Sequence, residues 1–219
     1  MLKYPCLVLD HDDTVVKSEI TVNYPCFLES LEKFRPGETM GYQEFVSWCF
    51  RYEFTEFLRI KYGFTDEELF EEYTMWQTYS KTRIPPAYEG IREIILEQKR
   101  RGGLVCVASL SSKENILRDY REHIGIEPDM IFSCNDPKDQ RKPNPYPLQT
   151  IMKTYGLNPT EVLMVDDLKT GYEMASAAGV PIAFAAWSRL SNPDVMEQME
   201  KLCDYSFHTT EDLRNFLFK

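Results

Sequence analysis

Four short stretches of the chain place reactive side chains at the ends of apolar runs. Leu7-Val8-Leu9 leads straight into Asp10-His11-Asp12-Asp13-Thr14, Leu104–Ala108 ends in Ser109, and Val162–Val165 ends in Asp166-Asp167. Lys142 stands in Arg141-Lys142-Pro143-Asn144-Pro145, ahead of the last of these. Singly, such features are common: a DxD is often a turn, a strand-terminal serine often caps the next helix, and a lysine is usually solvated. Together they assemble hard oxygen ligands, a hydroxyl donor and an ammonium, which is the set needed to bring a carboxylate nucleophile up to a phosphate ester. Both partners of that encounter are anions, so cations must neutralise them first.

The elements that would position these groups are legible. Apolar runs at Cys6–Leu9, Leu104–Ala108, Met130–Phe132, Val162–Val165 and Ile182–Ala185 alternate mostly with helical segments. The runs are apolar throughout, as expected of strands covered on both faces, so the spacing predicts an α/β fold with a doubly wound parallel sheet. Helix signals fit between them: Ile91–Arg101 before Gly102-Gly103, Ser112 as a cap, and Asn158-Pro159 opening a short turn. In such a sheet ligands bind at the carboxyl ends of the strands, where Asp10, Asp12, Ser109, Asp166 and Asp167 all fall.

Roughly 95 residues separate the first two strands, far more than a crossover helix needs. Residues 18–83 hold 16 of the 29 aromatics, in a helical pattern, which predicts a small all-helical domain with its own aromatic core. The expected domains are therefore 1–17 with 84–219 for the catalytic core and 18–83 for a cap. Thr65 and Glu68 form a capping box opening its last helix, with Leu69, Tyr73 and Trp76 spaced as one packed stripe. The linkers near Val15–Ser18 and Arg83–Tyr88 are the expected hinges.

Composition narrows the field. A net charge of −10 offers no basic field for a nucleic-acid backbone. The apolar runs are too short for a membrane span, and no signal segment is evident at the start. The six cysteines are never closer than 20 positions, so no zinc knuckle can be drawn. A reducing cytoplasm is the expected location. A monomer is expected, there being no heptad run.

The motifs LVLDHDDTV, LVCVASL, RKPNP and VLMVDDLKTGYEMASAAG, in that order, resemble the haloacid dehalogenase superfamily. The resemblance covers nearly all of residues 1–17 and 84–219, and within it the chain is similar to the phosphoglycolate phosphatase and beta-phosphoglucomutase branch with a helical cap. It implies a Mg2+-dependent phosphatase working through an aspartyl-phosphate on a small phosphorylated metabolite. Asp10 is then the nucleophile and Asp12 the acid and base; Ser109, the Leu110 amide and Lys142 bind the phosphoryl group. Mg2+ falls to Asp10, Asp167 and the backbone carbonyl of Asp12, with Asp166 helping directly or through a water. His11 replaces the usual apolar residue, and Asp13 stands where glycine is commonest, in keeping with its tolerance of left-handed backbone. Alternation should turn His11 away from Asp10 and Asp12, into a structural role.

Asp12 argues against dehalogenase and phosphonatase chemistry on this scaffold, which the resemblance associates with its absence. A phosphomutase uses the same core residues and is the alternative. A receiver-type signalling module would need its phosphate-accepting aspartate 40–50 residues after the acidic pair, where the chain instead reads Phe50-Arg51-Tyr52-Glu53-Phe54. Arg51, Arg59, Lys61 and Arg83 are candidates for substrate contact from the expected cap, although such side chains more often cover a surface with their stems and none is counted among the site residues.

Overall fold

The computed structural model describes residues 2–219. Six strands, β1 Cys6–Leu9, β2 Leu104–Ala108, β3 Met130–Phe132, β4 Val162–Asp166, β5 Ile182–Ala185 and β6 Tyr205–Phe207, form one parallel sheet in the order β3-β2-β1-β4-β5-β6. β1 lies at the centre, with Leu9 in register with Val107 on one side and Val165 on the other. Asp10, Ala108-Ser109 and Asp166-Asp167 are thereby brought to one edge. β4 runs one residue further than the apolar run, to Asp166, and β6 is an additional edge strand. With only three residues and no apolar run, β6 gave little signal in the sequence.

Alternation along β1 explains the two cores. Leu7 and Leu9 join Ile91, Ile94 and Ile95 of α5 (Ile91–Arg100) on one face, while Cys6 and Val8 join Leu148 and Ile151 of α7 (Tyr146–Tyr155) and Met174 of α8 (Lys169–Ala178) on the other. Burial of both faces is why these strands carry no polar alternation. Ser112 caps α6 (Lys113–Asp119) by accepting from the Asn115 amide at 3.2 Å. α9 (Pro193–Leu202) and α10 (Thr210–Phe218) complete the flanking layers. All six cysteines are free thiols, and no described helix is long and apolar enough to cross a membrane.

Residues 18–83 are helical: a π-turn at Glu19–Asn23 is followed by α1 Tyr24–Phe34, α2 Tyr42–Arg51, α3 Phe54–Tyr62 and α4 Asp66–Thr82. Phe27, Phe45 and Phe57 pack with ring centroids 4.8 to 6.2 Å apart and are almost wholly buried. This aromatic cluster is not closed on itself: it runs on through Phe184 and Ala186 to Val195 and Met199 of α9. The Thr65–Glu68 capping box is present in both directions. The stripe expected on α4 differs, because Tyr73 is exposed and Glu72 takes a buried place beside Leu69 and Ser80. The polar periodicity of α4 is weak, so its aromatic spacing misjudged which side faces inward. The two linkers hydrogen-bond to each other, Lys17 N to Pro86 O at 2.9 Å and Tyr88 N to Val15 O at 3.0 Å.

Candidate active site

Asp10 leaves the end of β1 with its amide held by the Val165 carbonyl at 2.9 Å, which sets it beside the end of β4. Carboxylate oxygens of Asp10, Asp166 and Asp167 lie within 4.8 Å of one another, all three buried. Lys142, on the loop before α7, donates to Asp10 Oδ1 and Asp166 Oδ2, both at 2.7 Å, with its side chain 3% exposed. Burial works against this ammonium, but Asp10 and Asp166 more than offset it and raise its pKa. The other oxygen of Asp166 accepts from the Leu168 amide at 3.0 Å. Gly171 makes room for this carboxylate: a Cβ there would sit 2.1 Å from Asp166 Oδ2.

The site holds a second buried cation that none of the sequence motifs marks. Arg189, in the turn after β5, pairs with Asp167 Oδ2, lies 3.1 Å from Asp13 Oδ2 and 3.7 Å from Glu19 Oε2, and is 1% exposed. Its position four residues beyond the carboxyl end of β5 is the one signal the sequence carries for it. Asp13 has φ 56°, the left-handed conformation expected at that position, and accepts from the Glu19 amide. Five buried carboxylates, Asp10, Asp13, Glu19, Asp166 and Asp167, thus share two buried cations. Desolvation pushes Asp166 up to about 7 and Asp167 up to about 6, against the pull of Lys142 and Arg189 respectively. A surplus of buried negative charge carried on hard oxygens fits a divalent cation such as Mg2+.

Asp12 lies apart from the three-carboxylate cluster, on a cleft between the sheet body and residues 18–83. Burial raises its pKa, favouring a carboxyl that can hold a proton. Ser109 is buried at the end of β2, its Oγ accepting from the Ser111 amide at 3.2 Å, and Leu110 is exposed beside it. The far side of the cleft carries Asn23, Trp76, Ser80 and Arg83, and the near side Asn115, Arg118 and Asp119 of α6. Of the four cations expected near a substrate, Arg83 lines this cleft, whereas Arg51, Arg59 and Lys61 pair with Asp194, Asp66 and Glu44.

His11 points away from the cluster, as alternation required. Its Nε2 lies 3.0 Å from Asp119 Oδ2, and its ring stacks on Tyr120. Burial opposes ionisation of Asp119, but hydrogen bonds from His11 and Arg118 outweigh it and hold the carboxyl below its usual range. The carboxylate can only accept, so Nε2 carries the proton.

The sequence profile of the haloacid dehalogenase-like hydrolases matches residues 7–185. The chain belongs to this family. Pyrophosphatase PpaX of Bacillus pumilus is 22% identical over 83% of both chains. Phosphoglycolate phosphatase of Rhodospirillum rubrum is 33% identical over 81 residues, a match spanning 36% of this chain and only 34% of that enzyme. Among solved structures, a mutant of CbbY from Rhodobacter sphaeroides in complex with xylulose-1,5-bisphosphate superposes with a TM-score of 0.71 at 16% identity, over 96% of this chain and 95% of that one. At that identity the likeness is one of fold.

Proposed function

We propose that this hydrolase is a Mg2+-dependent phosphatase that cleaves a small phosphorylated metabolite through an aspartyl-phosphate on Asp10. The observation that carries the reading is the division of labour within two residues: Asp10 lies in the buried cluster with Lys142, whereas Asp12 faces the cleft where a leaving alcohol would sit. The phosphatase and pyrophosphatase names of its relatives, and the sugar bisphosphate bound to CbbY, support this substrate class.

Asp10, Asp166 and Asp167, with the Asp12 backbone carbonyl, would hold Mg2+, which when bound supplies the positive charge that lets a carboxylate meet a phosphate. Asp10 attacks phosphorus in line, forming an acyl phosphate as the bond to the ester oxygen breaks. Asp12 gives its proton to that oxygen, so the product leaves as an alcohol. Asp12, now a base, takes a proton from the water that attacks the same phosphorus, returning Asp10 as a carboxylate and releasing phosphate. Lys142 balances Asp10 and the phosphoryl oxygens, and Ser109 and the Leu110 amide donate to them. Residues 18–83 act as the cap, a separate unit covering the core of residues 1–17 and 84–219, and exclude bulk water from the acyl phosphate.

The test is phosphate release from a panel of sugar phosphates, phosphoglycolate, pyrophosphate and an aryl phosphate. Activity should require Mg2+ and return when it is added back after chelation. Undiminished turnover in excess EDTA refutes the mechanism, and conversion of a sugar phosphate to its isomer without phosphate release would favour a phosphomutase.

A further inference from the structure

Residues 18–83 meet the sheet body in two unlike ways. On one side the contact is mainly apolar: Phe45 and Val46 of α2 belong to the same buried cluster as Phe184, Val195 and Met199, with Asn192 Nδ2 donating to the Gln43 carbonyl at 3.0 Å beside it. Across the cleft the contact is polar. Arg118 Nη1 donates to the Ser80 carbonyl at 2.5 Å, while its Nε donates to Asp119 Oδ1 at 2.7 Å. Asp119 Oδ2 in turn accepts from His11, the residue between Asp10 and Asp12. Three segments far apart in the chain, the Asp10–Asp12 loop, α6 and the end of α4, are joined in this order.

We propose that Arg118 is a positioning residue that couples closure of residues 18–83 over the cleft to the setting of the Asp10–Asp12 loop, through Asp119 and His11. The proposal rests on the reading of residues 18–83 as a cap, and on the phosphatase reading for its kinetic consequence.

Ser80 lies in the last turn of α4, where carbonyls have no partner within the helix and where the helix dipole is negative. A guanidinium is the natural complement there. Exposure falls along the chain of contacts, from 24% for the Arg118 side chain to 1% for both Asp119 and His11. The inner pair is shielded from water, and the outer link to Ser80 is the one that water can replace. Lifting the polar side while the apolar side holds would open the cleft beside Asp12 and break the Arg118–Ser80 bond first. Arg118 then keeps Asp119 and Asn115 but loses the anchor that orients it. Without that anchor, the contact that steadies His11 between the two aspartates is looser. Closure therefore favours the catalytic geometry only when the cleft is covered.

The experiment compares the full chain with Arg118→Met, which keeps the apolar stem, and Arg118→Lys, which keeps the charge but cannot hold Asp119 and Ser80 together. Amide hydrogen exchange over residues 74–88 should quicken at least about tenfold in Arg118→Met, the scale of one charge-assisted hydrogen bond, and less in Arg118→Lys. Residues 42–51, on the apolar side, should not change. For an alkyl phosphate kcat/KM should fall at least about tenfold, and pairing Arg118→Met with His11→Leu should lose less than the product of the two single losses. Exchange quickened only within residues 113–124 would mean that Arg118 merely secures its own helix, and losses that multiply independently would break the link to His11; either overturns the proposal. If no phosphate ester is turned over by the unsubstituted protein, the functional reading falls, and exchange at 74–88 alone decides for or against the coupling.

Discussion

Arg189 donates to Asp167 Oδ2 from a side chain that is 1% exposed, so a carboxylate read as a free metal ligand already shares its charge with a guanidinium. The same guanidinium faces Asp13 and Glu19, tying the turn after β5 to the segment where residues 18–83 begin.

Removing that cation leaves buried carboxylates without a partner. Arg189→Met should lower unfolding free energy by about 3–5 kcal/mol, and Arg189→Lys by less. Urea unfolding at neutral pH measures it; a loss below about 1 kcal/mol would show that the carboxylates relax or take up protons at little cost.

Gly171 is required by the approach of α8 to Asp166, not by an unusual backbone angle. A methyl group there meets the Asp166 carboxylate at 2.1 Å, so Gly171→Ala must displace either the helix or the carboxylate that Lys142 holds. The expected cost is about 1–3 kcal/mol in stability, with weakened Mg2+ binding by calorimetry. Unchanged Mg2+ affinity would place Asp166 outside the metal site.

Asp10 and Asp12 should fail differently. Asp10→Asn should abolish covalent labelling from a phosphoryl donor. Asp12→Asn should form the acyl phosphate from an activated aryl phosphate and then stall, with alkyl phosphates slowed by about 10²–10⁴. Labelling of the Asp10 variant would reassign the nucleophile, and equal slowing of aryl and alkyl substrates by Asp12→Asn would remove its role as acid.

Glu72 offers a pH test away from the site. Burial alone raises its pKa from 4.5 to about 7. The folded protein then binds more protons than the unfolded chain between these values, so this residue makes stability fall as pH rises from about 4.5 to about 7. Against the parent, Glu72→Gln should gain stability progressively over that window, by about 1–3 kcal/mol at pH 8 relative to pH 4.5. A difference that is flat with pH would mean that Glu72 is solvated.

The sequence by itself determined what depends on neighbours along the chain. Wholly apolar runs such as Cys6–Leu9 marked the sheet and its covered faces, and Asp10, Ser109 and Asp166-Asp167 directly after such runs, with Lys142 ahead of the last, marked the acidic edge. The Thr65–Glu68 box was legible because both of its bonds close within three residues. Tertiary structure decided the rest. Arg189 meets Asp167 across 22 residues, Arg118 meets Ser80 across 38, and His11 meets Asp119 across 108. No local periodicity carries those pairings, since each depends on how helices and turns are docked after the sheet forms. The same holds for the aromatic cluster of residues 18–83. Its composition was visible, but its continuation onto Phe184 and α9 was not, because an apolar residue specifies that it will be buried and not which surface will bury it.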